Sequence, residues 1–144
     1  MKKIFQGRPI VPGEVSGPCV TKKEGLNILE TYLNNQEAIR DAMVCIPASI
    51  GSTTGGLLLQ TTIREGTAPR ALLFSNLMDP ITAAGVVLAQ VWSDKTMVAI
   101  DDLGDDLLAA AKDGMTISIN MDGQVELTDD SEQAASGGIA GCTF

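Results

Sequence analysis

The chain has 144 residues, of which 44% are hydrophobic, so it has the length of one domain and enough apolar material for a core. Its net charge is −8, from 10 basic and 18 acidic residues, which argues against nucleic acid and anionic membranes as main partners. The sequence contains no histidine, so it cannot supply a Ser-His-Asp or Cys-His nucleophile system or a histidine-ligated metal site.

Glycine and proline divide the first part of the chain, residues 4–22, into short β-prone pieces. This pattern predicts short strands joined by tight turns, as in a small barrel or an orthogonal sheet. A different pattern follows, because Leu26, Leu29 and Leu33 recur at spacings of three and four residues. That spacing predicts a helix, which we expect the pair Asn34 and Asn35 to end.

Residues 42–48, AMVCIPA, form a continuous apolar run that predicts a buried strand. Small residues follow, and the stretch GSTTGG at 51–56 leads directly into leucines. We expect a helix from residue 52 to about residue 65, capped at its start by Ser52, Thr53 or Thr54. Gly66 is placed to cap its end, and Pro69 to stop it.

The strand–helix pattern repeats twice more. Residues 70–76 predict a second strand, and Asp79 followed by Pro80 predicts a capped helix start. Residues 96–101 predict a third strand, and 105–114 a short helix with acidic residues at its start and a lysine at its end. Residues 115–127 alternate around an Asp-Gly pair, which predicts a hairpin. We expect residues 128–144 to be a flexible C-terminal tail.

Three alternating strands and helices predict parallel pairing with the helices packed outside the sheet. β-rich segments flank this central part on both sides. The predicted architecture is therefore a mixed α/β domain with three layers, spanning residues 1–127.

In such a layer, ligands bind at the carboxyl ends of the strands, beside the starts of the helices. The stretch GSTTGG falls at such a place, where free backbone N–H groups and the helix dipole favour an anion. Its glycines allow close approach of the backbone. The alternative is a well-capped helix after a tight turn, which favours the same residue types. The stretch is neither a P-loop, since no lysine follows, nor a GxGxxG motif.

Charged residues elsewhere offer weaker candidates. Arg8, Arg64 and Arg70 could each bind a carboxylate through two hydrogen bonds, although an arginine is more often a surface charge. An acidic run could ligate a metal, but a solvated helix start is the favoured interpretation; its members are Asp101, Asp102, Asp105 and Asp106.

The three cysteines, Cys19, Cys45 and Cys142, are far apart in the sequence and form no CxxC pair. This usage predicts free thiols and a cytoplasmic chain rather than a disulfide framework or a metal site. We expect neither a signal peptide nor a membrane span. Cys45 lies in an apolar run and is interpreted as a core residue, and Met78 and Trp92 as packing residues.

Five segments, taken together and in this order, resemble one family: GRPIVPGEVSGPCV, IPASIGSTTGGLLL, EGTAPRALLFSN, DPITAAGVVLAQV and DGMTISINMDGQVEL. The chain resembles the small subunit, or swivel domain, of the aconitase X family of dehydratases. The resemblance extends over residues 4 to about 127. Its most specific part is the Gly-Ser-Thr core at 51–53, followed about a dozen residues later by Gly-x-Ala-Pro.

The resemblance implies a swivelling β/β/α domain and a hydro-lyase that removes water from a hydroxy acid. Activities in the family include dehydration of cis-3-hydroxy-L-proline and of phosphomevalonate, and a 3-hydroxyproline-like substrate is favoured here. A large catalytic subunit, separate or fused, is implied to carry an iron–sulfur cluster on its own cysteines. The small domain is then expected to close over cluster and substrate, and to bind no cofactor itself.

The resemblance also implies roles for individual residues. The serine of the family's Gly-Ser motif, thought to act as the base, corresponds to Ser52. Gly51, Thr53, Thr54 and Gly55 are implied to contact the substrate. An alkoxide at Ser52 would need stabilisation by helix N-terminal amides and a nearby cation.

Residues 21–42 depart from the family pattern, which usually has Leu-Ser-Phe and Gly-Gly segments there. This departure favours a second hypothesis, a non-catalytic binding or regulatory domain that kept the swivel fold. A third is a stand-alone phosphate-binding α/β protein, which would need basic residues near Ser52.

Overall fold

The computed structural model describes residues 2–28, 32–33, 36–50, 55–95 and 97–128. The described residues form ten strands: β1 Lys2–Gln6, β2 Arg8–Val11, β3 Val15–Thr21, β4 Leu26–Asn27, β5 Met43–Ile46, β6 Ser49–Ile50, β7 Ala71–Phe74, β8 Val98–Asp101, β9 Thr116–Ile119 and β10 Gln124–Thr128. Its α-helices are α1 Gly55–Glu65, α2 Pro80–Trp92 and α3 Asp105–Ala110, and Gln36–Ala38 forms a 3₁₀ helix.

Eight strands are hydrogen-bonded in the order β1-β10-β9-β3-β5-β7-β8-β2. The pairs β3–β5, β5–β7 and β7–β8 are parallel, and the remaining pairs are antiparallel. β3 pairs with the antiparallel strand β9 on one side and the parallel strand β5 on the other, so it belongs to both halves of the sheet. β4 and β6 form a separate two-stranded parallel pair.

The buried residues form two cores, one on each face of the parallel strands. Val44 and Phe74 belong to the core that includes residues of α1 and α2. Met43 and Leu73, their neighbours in the chain, belong to the core that includes residues of the antiparallel strands and α3. Successive side chains in a strand point to opposite faces, so a continuous apolar run serves both cores. The predicted three-layer mixed α/β architecture is therefore confirmed.

Several local predictions are also confirmed. Asp79 caps α2, with Pro80 as its first residue, because the Asp79 side chain accepts from the backbone N–H of Thr82. Gly66 follows α1 with a φ of 81°, in the left-handed region that glycine tolerates. Gly123 lies in the turn of the β9–β10 hairpin with a φ of 84°.

The N-terminal strands form as predicted, but their pairing differs from a self-contained barrel. β1 pairs with β10, β2 with β8, and β3 with β9 and β5, so they extend a sheet built mainly from later residues. Local sequence defines a strand, whereas its partner is decided by packing across the whole domain. Thr128, the first residue of the predicted tail, is the last residue of β10, and residues 129–144 lie outside the described part.

The helix predicted from the leucine spacing begins later than expected. Leu26 belongs to β4, which pairs with Ser49–Ile50, so the prediction is wrong at its start. Ile28, Tyr32 and Leu33 have helical backbone, while Leu29, Asn34 and Asn35 lie outside the described residues. Among the helices that the structure describes, none is long and apolar enough to cross a membrane.

Candidate functional site

The candidate site lies where the parallel strands β5, β7 and β8 end and the chain turns into α1, α2 and α3. Gly51, Ser52, Thr53 and Thr54 connect β6 to α1 and lie outside the described residues, and Gly55 is the first residue of α1. The structure therefore describes the surroundings of the predicted site. We call six of those surrounding residues the carboxyl edge: Arg8, Ser49, Ser75, Asp79, Thr82 and Asp101.

The first group at the carboxyl edge joins Ser49 to the start of α2. The Ser49 hydroxyl donates to Asp79 Oδ1 at 2.5 Å, and the Thr82 hydroxyl donates to the same oxygen at 2.7 Å. Asp79 Oδ2 accepts from the backbone N–H of Thr82 at 2.9 Å. The cap of α2 therefore also fixes the strand that leads into residues 51–54.

These contacts keep Asp79 ionised. Partial burial would raise the pKa of its carboxyl group, but the hydrogen bonds from Ser49 and from the Thr82 N–H and hydroxyl lower it below its ordinary value. The group is an acceptor of three donated hydrogen bonds, which is characteristic of a stable carboxylate. Asp79 thus acts as a fixed negative charge that orients two hydroxyl groups.

The second group pairs Arg8 with Asp101. Arg8 Nε donates to Asp101 Oδ1 at 2.9 Å and Nη2 donates to Oδ2 at 2.7 Å, a two-bond pairing of the kind that arginine favours. The backbone N–H of Met78 donates to Asp101 Oδ2 at 2.7 Å. The Asp101 side chain is fully buried, whereas the Arg8 side chain is 57% exposed. The pair therefore anchors the loop before α2 and holds the guanidinium at the surface.

Asp101 corrects one prediction from the sequence. It was expected to belong to a solvated helix start, but it ends β8 and is buried, and its pKa is lowered. Burial alone would raise that pKa, and the hydrogen bonds from Arg8 and Met78 outweigh it. The prediction of a solvated helix start is confirmed for Asp105 and Asp106, which are exposed in the first turn of α3. Arg8 binds a carboxylate through two hydrogen bonds, one of the two roles that the sequence left open, and that carboxylate is Asp101 of the same chain.

The two glycines at the crossing of α1 and α2 set the spacing of the helix starts. A Cβ atom built on Gly56 would lie 2.5 Å from the Ile81 carbonyl oxygen, and one on Gly85 would lie 2.5 Å from the Gly56 carbonyl oxygen. Backbone meets backbone at these points, so neither position has room for a side chain. One glycine of the GSTTGG stretch is therefore required by helix packing rather than by a ligand.

Ser75 directly follows β7 and is buried. Its backbone N–H donates to the Ile46 carbonyl at 3.0 Å, and its carbonyl accepts from the Gly104 N–H at 2.9 Å. Its hydroxyl has no hydrogen-bond partner among the described residues. A buried polar group without a partner costs about 1–3 kcal/mol, so such groups occur preferentially where another molecule can satisfy them.

The remaining candidates lie elsewhere. Arg64 is in the last turn of α1, and Arg70 lies before β7, at the other end of the parallel strands, where its Nη1 donates to the Ser16 carbonyl at 2.6 Å. Met78 is buried as predicted. Trp92 is 69% exposed, so the prediction that it is a packing residue is wrong for the described part of the chain.

The described cysteines are core residues. Cys19 and Cys45 are free and buried on neighbouring strands, as predicted. The hydrogen bond with Cys19 and burial raise the pKa of the Cys45 thiol well above its ordinary value, which disfavours the reactive thiolate. Within the described ranges, no group of three or more His, Cys, Asp or Glu residues could hold a metal ion. These residues therefore do not fit an iron–sulfur cluster, and no chemistry on this chain is assigned to one.

Sequence reasoning missed Ser49, Ser75 and Thr82 as site residues. Each has a positional signal, because Ser49 directly follows the predicted strand at 42–48, Ser75 lies at the end of the one predicted at 70–76, and Thr82 lies in the first turn of a predicted helix. Ligands bind at strand ends and helix starts in parallel sheets. A hydroxyl residue at such a position could therefore have been named as a candidate from the sequence.

The layers and the position of the site define the class of this domain, a swivelling β/β/α domain with its polar site at the ends of parallel strands. The structure resembles the crystal structure of Thermococcus kodakaraensis aconitase X in its holo form, with a TM-score of 0.72 and 21% identity over 87% of this chain and 98% of that chain. This match shows the fold. The family model for the aconitase X swivel domain matches residues 4–127, and the chain belongs to that family.

Curated relatives also match the chain. A cis-3-hydroxy-L-proline dehydratase of Hypocrea jecorina is 28% identical over 131 residues, which cover 79% of this chain and 22% of that protein. The chain thus spans about a fifth of that longer relative. A phosphomevalonate dehydratase small subunit of Methanothermobacter thermautotrophicus is 26% identical over 127 residues, which cover 80% of this chain and 92% of that subunit.

Proposed function

We propose that this chain is the small subunit of an aconitase X-type dehydratase, which removes water from a small hydroxy acid together with a large subunit. The observation that carries this proposal is the carboxyl edge, where an ionised carboxylate, two oriented hydroxyls and a buried hydroxyl without a partner among the described residues lie at strand ends and helix starts. Membership of the family and similarity to a named small subunit support it.

Ser52 is the proposed general base. It would accept the proton from the substrate carbon as hydroxide departs from the neighbouring carbon, and transfer of that proton to the hydroxide would give water and restore the base. A serine hydroxyl loses its proton only when the resulting negative charge is stabilised, and the free N–H groups at the start of α1 favour negative charge nearby. Gly51, Thr53, Thr54 and Gly55 are the proposed substrate contacts on this chain.

The charges of the carboxyl edge favour a 3-hydroxyproline-like substrate. Arg8 is the cationic member, and Asp79 and Asp101 are both ionised, so the described charges of this edge are negative in sum. Such a surface repels a phosphate and suits a zwitterion that carries an ammonium group beside its carboxylate. A small zwitterionic hydroxy acid is therefore the proposed substrate class, ahead of phosphomevalonate.

The large subunit is the proposed holder of an iron–sulfur cluster, as the family resemblance implies. Such a cluster, when bound there, would supply a Lewis acid for the departing hydroxyl group. The site would then be shared between two chains, and turnover by the purified small chain alone would contradict the proposal.

The test is co-expression of this chain with the aconitase X-type large subunit from the same genome, followed by assays with cis-3-hydroxy-L-proline and phosphomevalonate. Ser52→Ala should lower turnover at least about a hundredfold, the lower range for loss of a general base. Its melting temperature should change little, because a lost helix cap costs only about 1 kcal/mol and Thr53 or Thr54 can replace it. Ser118→Ala, on the exposed face of β9, is the matched control and should keep full turnover.

The alternative function is a non-catalytic binding or regulatory domain with the same fold. Residues 21–42, which depart from the family pattern, favour this alternative by their position. Within them, Leu26–Asn27 pairs directly with Ser49–Ile50, the strand that leads to residues 51–54. A stable complex with the large subunit but no turnover of either substrate would support this alternative. Equal turnover of the Ser52→Ala and wild-type complexes would remove Ser52 from the mechanism.

A further inference from the structure

The outward face of α2 is apolar apart from the exposed Gln90. The helix PITAAGVVLAQVW contains no charged residue, although it lies in the outer layer. Val91 is 67% exposed and Trp92 69% exposed, and Leu77, just before the helix, is 63% exposed. Spacings of three and four residues place positions 77, 81, 84, 87 and 91 on one face, and Trp92 is the last residue of the helix. We call these residues the outer row: Leu77, Ile81, Ala84, Val87, Val91 and Trp92.

Neighbouring helices differ from α2 in this respect. α1 ends in exposed Arg64 and Glu65, and α3 begins with exposed Asp105 and Asp106. A helix at a protein surface usually carries polar and charged residues on its outer side, and a helix that is apolar all round is typically buried. A contiguous exposed apolar patch marks a surface that another molecule covers.

The outer row begins at the candidate site. Leu77 and Ile81 lie two residues before and two residues after Asp79, whose carboxylate bonds Ser49 and caps α2. The row continues from there to Trp92 at the far end of the helix. Under the proposed function, the partner that completes the site contacts the carboxyl edge, so the outer row extends that contact without interruption.

We propose that the outer row is the docking surface for the large subunit. This inference rests on the proposed function. A second copy of this chain is the disfavoured occupant, because each copy carries a net charge of −8 and the row has no charged groups to offset the repulsion. A large partner can instead cover the row and the carboxyl edge together, with Trp92 as an aromatic anchor of the kind that dominates interfaces.

The test measures binding of this chain to the purified large subunit from the same genome. Val91→Glu should weaken the complex at least about tenfold, because it places a charge beside Trp92 in a desolvated contact. Two matched controls carry the same new side chain. Gln90→Glu alters the exposed neighbouring position outside the row, and Met121→Glu alters an apolar side chain, 52% exposed, on the β9–β10 turn. Both controls should bind like the wild-type chain.

A second measurement follows the row directly. The sequence contains one tryptophan, so fluorotryptophan labelling of this chain gives one fluorine NMR signal, from Trp92. Addition of the unlabelled large subunit should change the chemical shift of that signal and shield the Trp92 ring from solvent. The unbound Val91→Glu chain should melt at the wild-type temperature, since the substituted position is exposed.

The outcomes separate the inference from the proposed function. If the wild-type complex forms but Val91→Glu binds equally well, or the Trp92 signal does not change, the outer row is not the docking surface and the proposed function stands. If the wild-type chain forms no complex, the proposed function and this inference both fail. If the isolated chain dimerises and Val91→Glu abolishes the dimer, a second copy covers the row and the inference is overturned.

Discussion

The two ends of the parallel strands carry charged residues in different ways. At the carboxyl edge, Asp101 is fully buried and bonded to Arg8 and Met78, and Asp79 is bonded to two hydroxyls. At the other end, charged side chains line an open hollow of about 400 Å³. We call the charged residues of that hollow the amino edge: Glu14, Asp41, Arg70 and Lys95.

This difference shows that the charges held by several hydrogen bonds lie at the carboxyl edge. Exposed charges at the amino edge are solvated, and Arg70 bonds a backbone carbonyl rather than a buried carboxylate. At the carboxyl edge, the buried Asp101 carboxylate is matched by donors, because an unmatched buried charge is costly, and the Ser75 hydroxyl is the exception among the described residues. Loops that end in such matched groups hold a fixed geometry, which a catalytic or binding site requires. Matched variants at the two edges should therefore differ in their effects on stability and turnover.

The largest expected effect comes from Asp101→Asn. The new amide places an NH₂ group against donors from Arg8 and Met78, and it removes the carboxylate that both groups bind. We expect a loss of about 3 kcal/mol in the free energy of unfolding, the low end for breaking a buried ion pair. The low end applies because the remaining guanidinium is half-exposed and can be hydrated. Chemical denaturation of the isolated chain measures this loss.

Asp41→Asn is the control at the amino edge. Asp41 is exposed and has a φ of 60°, a conformation that asparagine also tolerates. Its replacement should change stability by no more than about 0.5 kcal/mol. Equal losses at the two positions would contradict the distinction between the edges.

Gly85→Ala should have the next largest effect. The added methyl group would meet the Gly56 backbone at the start of α1, so the two helices must separate. We expect a loss of about 1–3 kcal/mol in stability. Turnover of the assembled complex should fall as well, because the spacing of the two helix starts at the carboxyl edge changes.

Gly66→Ala is the matched glycine variant at the amino edge. It should also destabilise the chain, by about 1–2 kcal/mol, because its φ of 81° is unfavourable for alanine. Its position at the far end of α1 leaves the carboxyl edge in place, so turnover per folded complex should stay at the wild-type level. Loss of turnover in both variants would show that the site does not depend on the Gly56–Gly85 contact in particular.

Acid should weaken the fold through the carboxyl edge. The pKa values of Asp79 and Asp101 are lowered in the folded chain, so the unfolded chain binds protons more readily. The corresponding stability is present above the ordinary aspartate pKa of about 3.9 and is lost as pH falls through the lower folded values. Unfolding measured from pH 6 downwards should show this loss, and Asp101→Asn should show a shallower decline. An identical decline in that variant would exclude Asp101 as a contributor.

The smallest expected effect comes from Ser75→Ala, and its sign is the informative part. The Ser75 hydroxyl is buried without a partner among the described residues, so its removal should leave the isolated chain equally stable or slightly more stable. In the assembled enzyme, the same variant should raise KM if the hydroxyl bonds the substrate. A clear loss of stability in the isolated chain would mean that the hydroxyl has a structural partner instead.

Much of the fold could be predicted from local sequence. The apolar runs at 43–46 and 71–74 are strands because a continuous apolar segment of that length suits burial on both faces. The start of α2 is explicit in Asp79 and Pro80, since one supplies an acceptor for the free N–H groups and the other fits the first turn. These signals act over a few residues, so they are visible without knowledge of the tertiary structure.

Other features depend on contacts between distant residues and could not be predicted in that way. Arg8 and Asp101 are 93 residues apart in sequence, and only the β2–β8 pairing brings them together. Leu26 fits a helical spacing, but it pairs with the strand before α1. Trp92 looked like a core residue because large aromatic side chains usually are.

The pairing of β1 with β10 has a consequence for how this domain combines with others. Lys2 lies opposite Thr128, so the two ends of the described unit lie at neighbouring points. A unit of this kind can be spliced into a longer protein, or separated from one, with short connections and without rearrangement of its strands. Only a segment of the Hypocrea jecorina protein matches it, whereas nearly the whole of the Methanothermobacter subunit does. Adjacent ends make fusion and fission of genes equally compatible with one architecture.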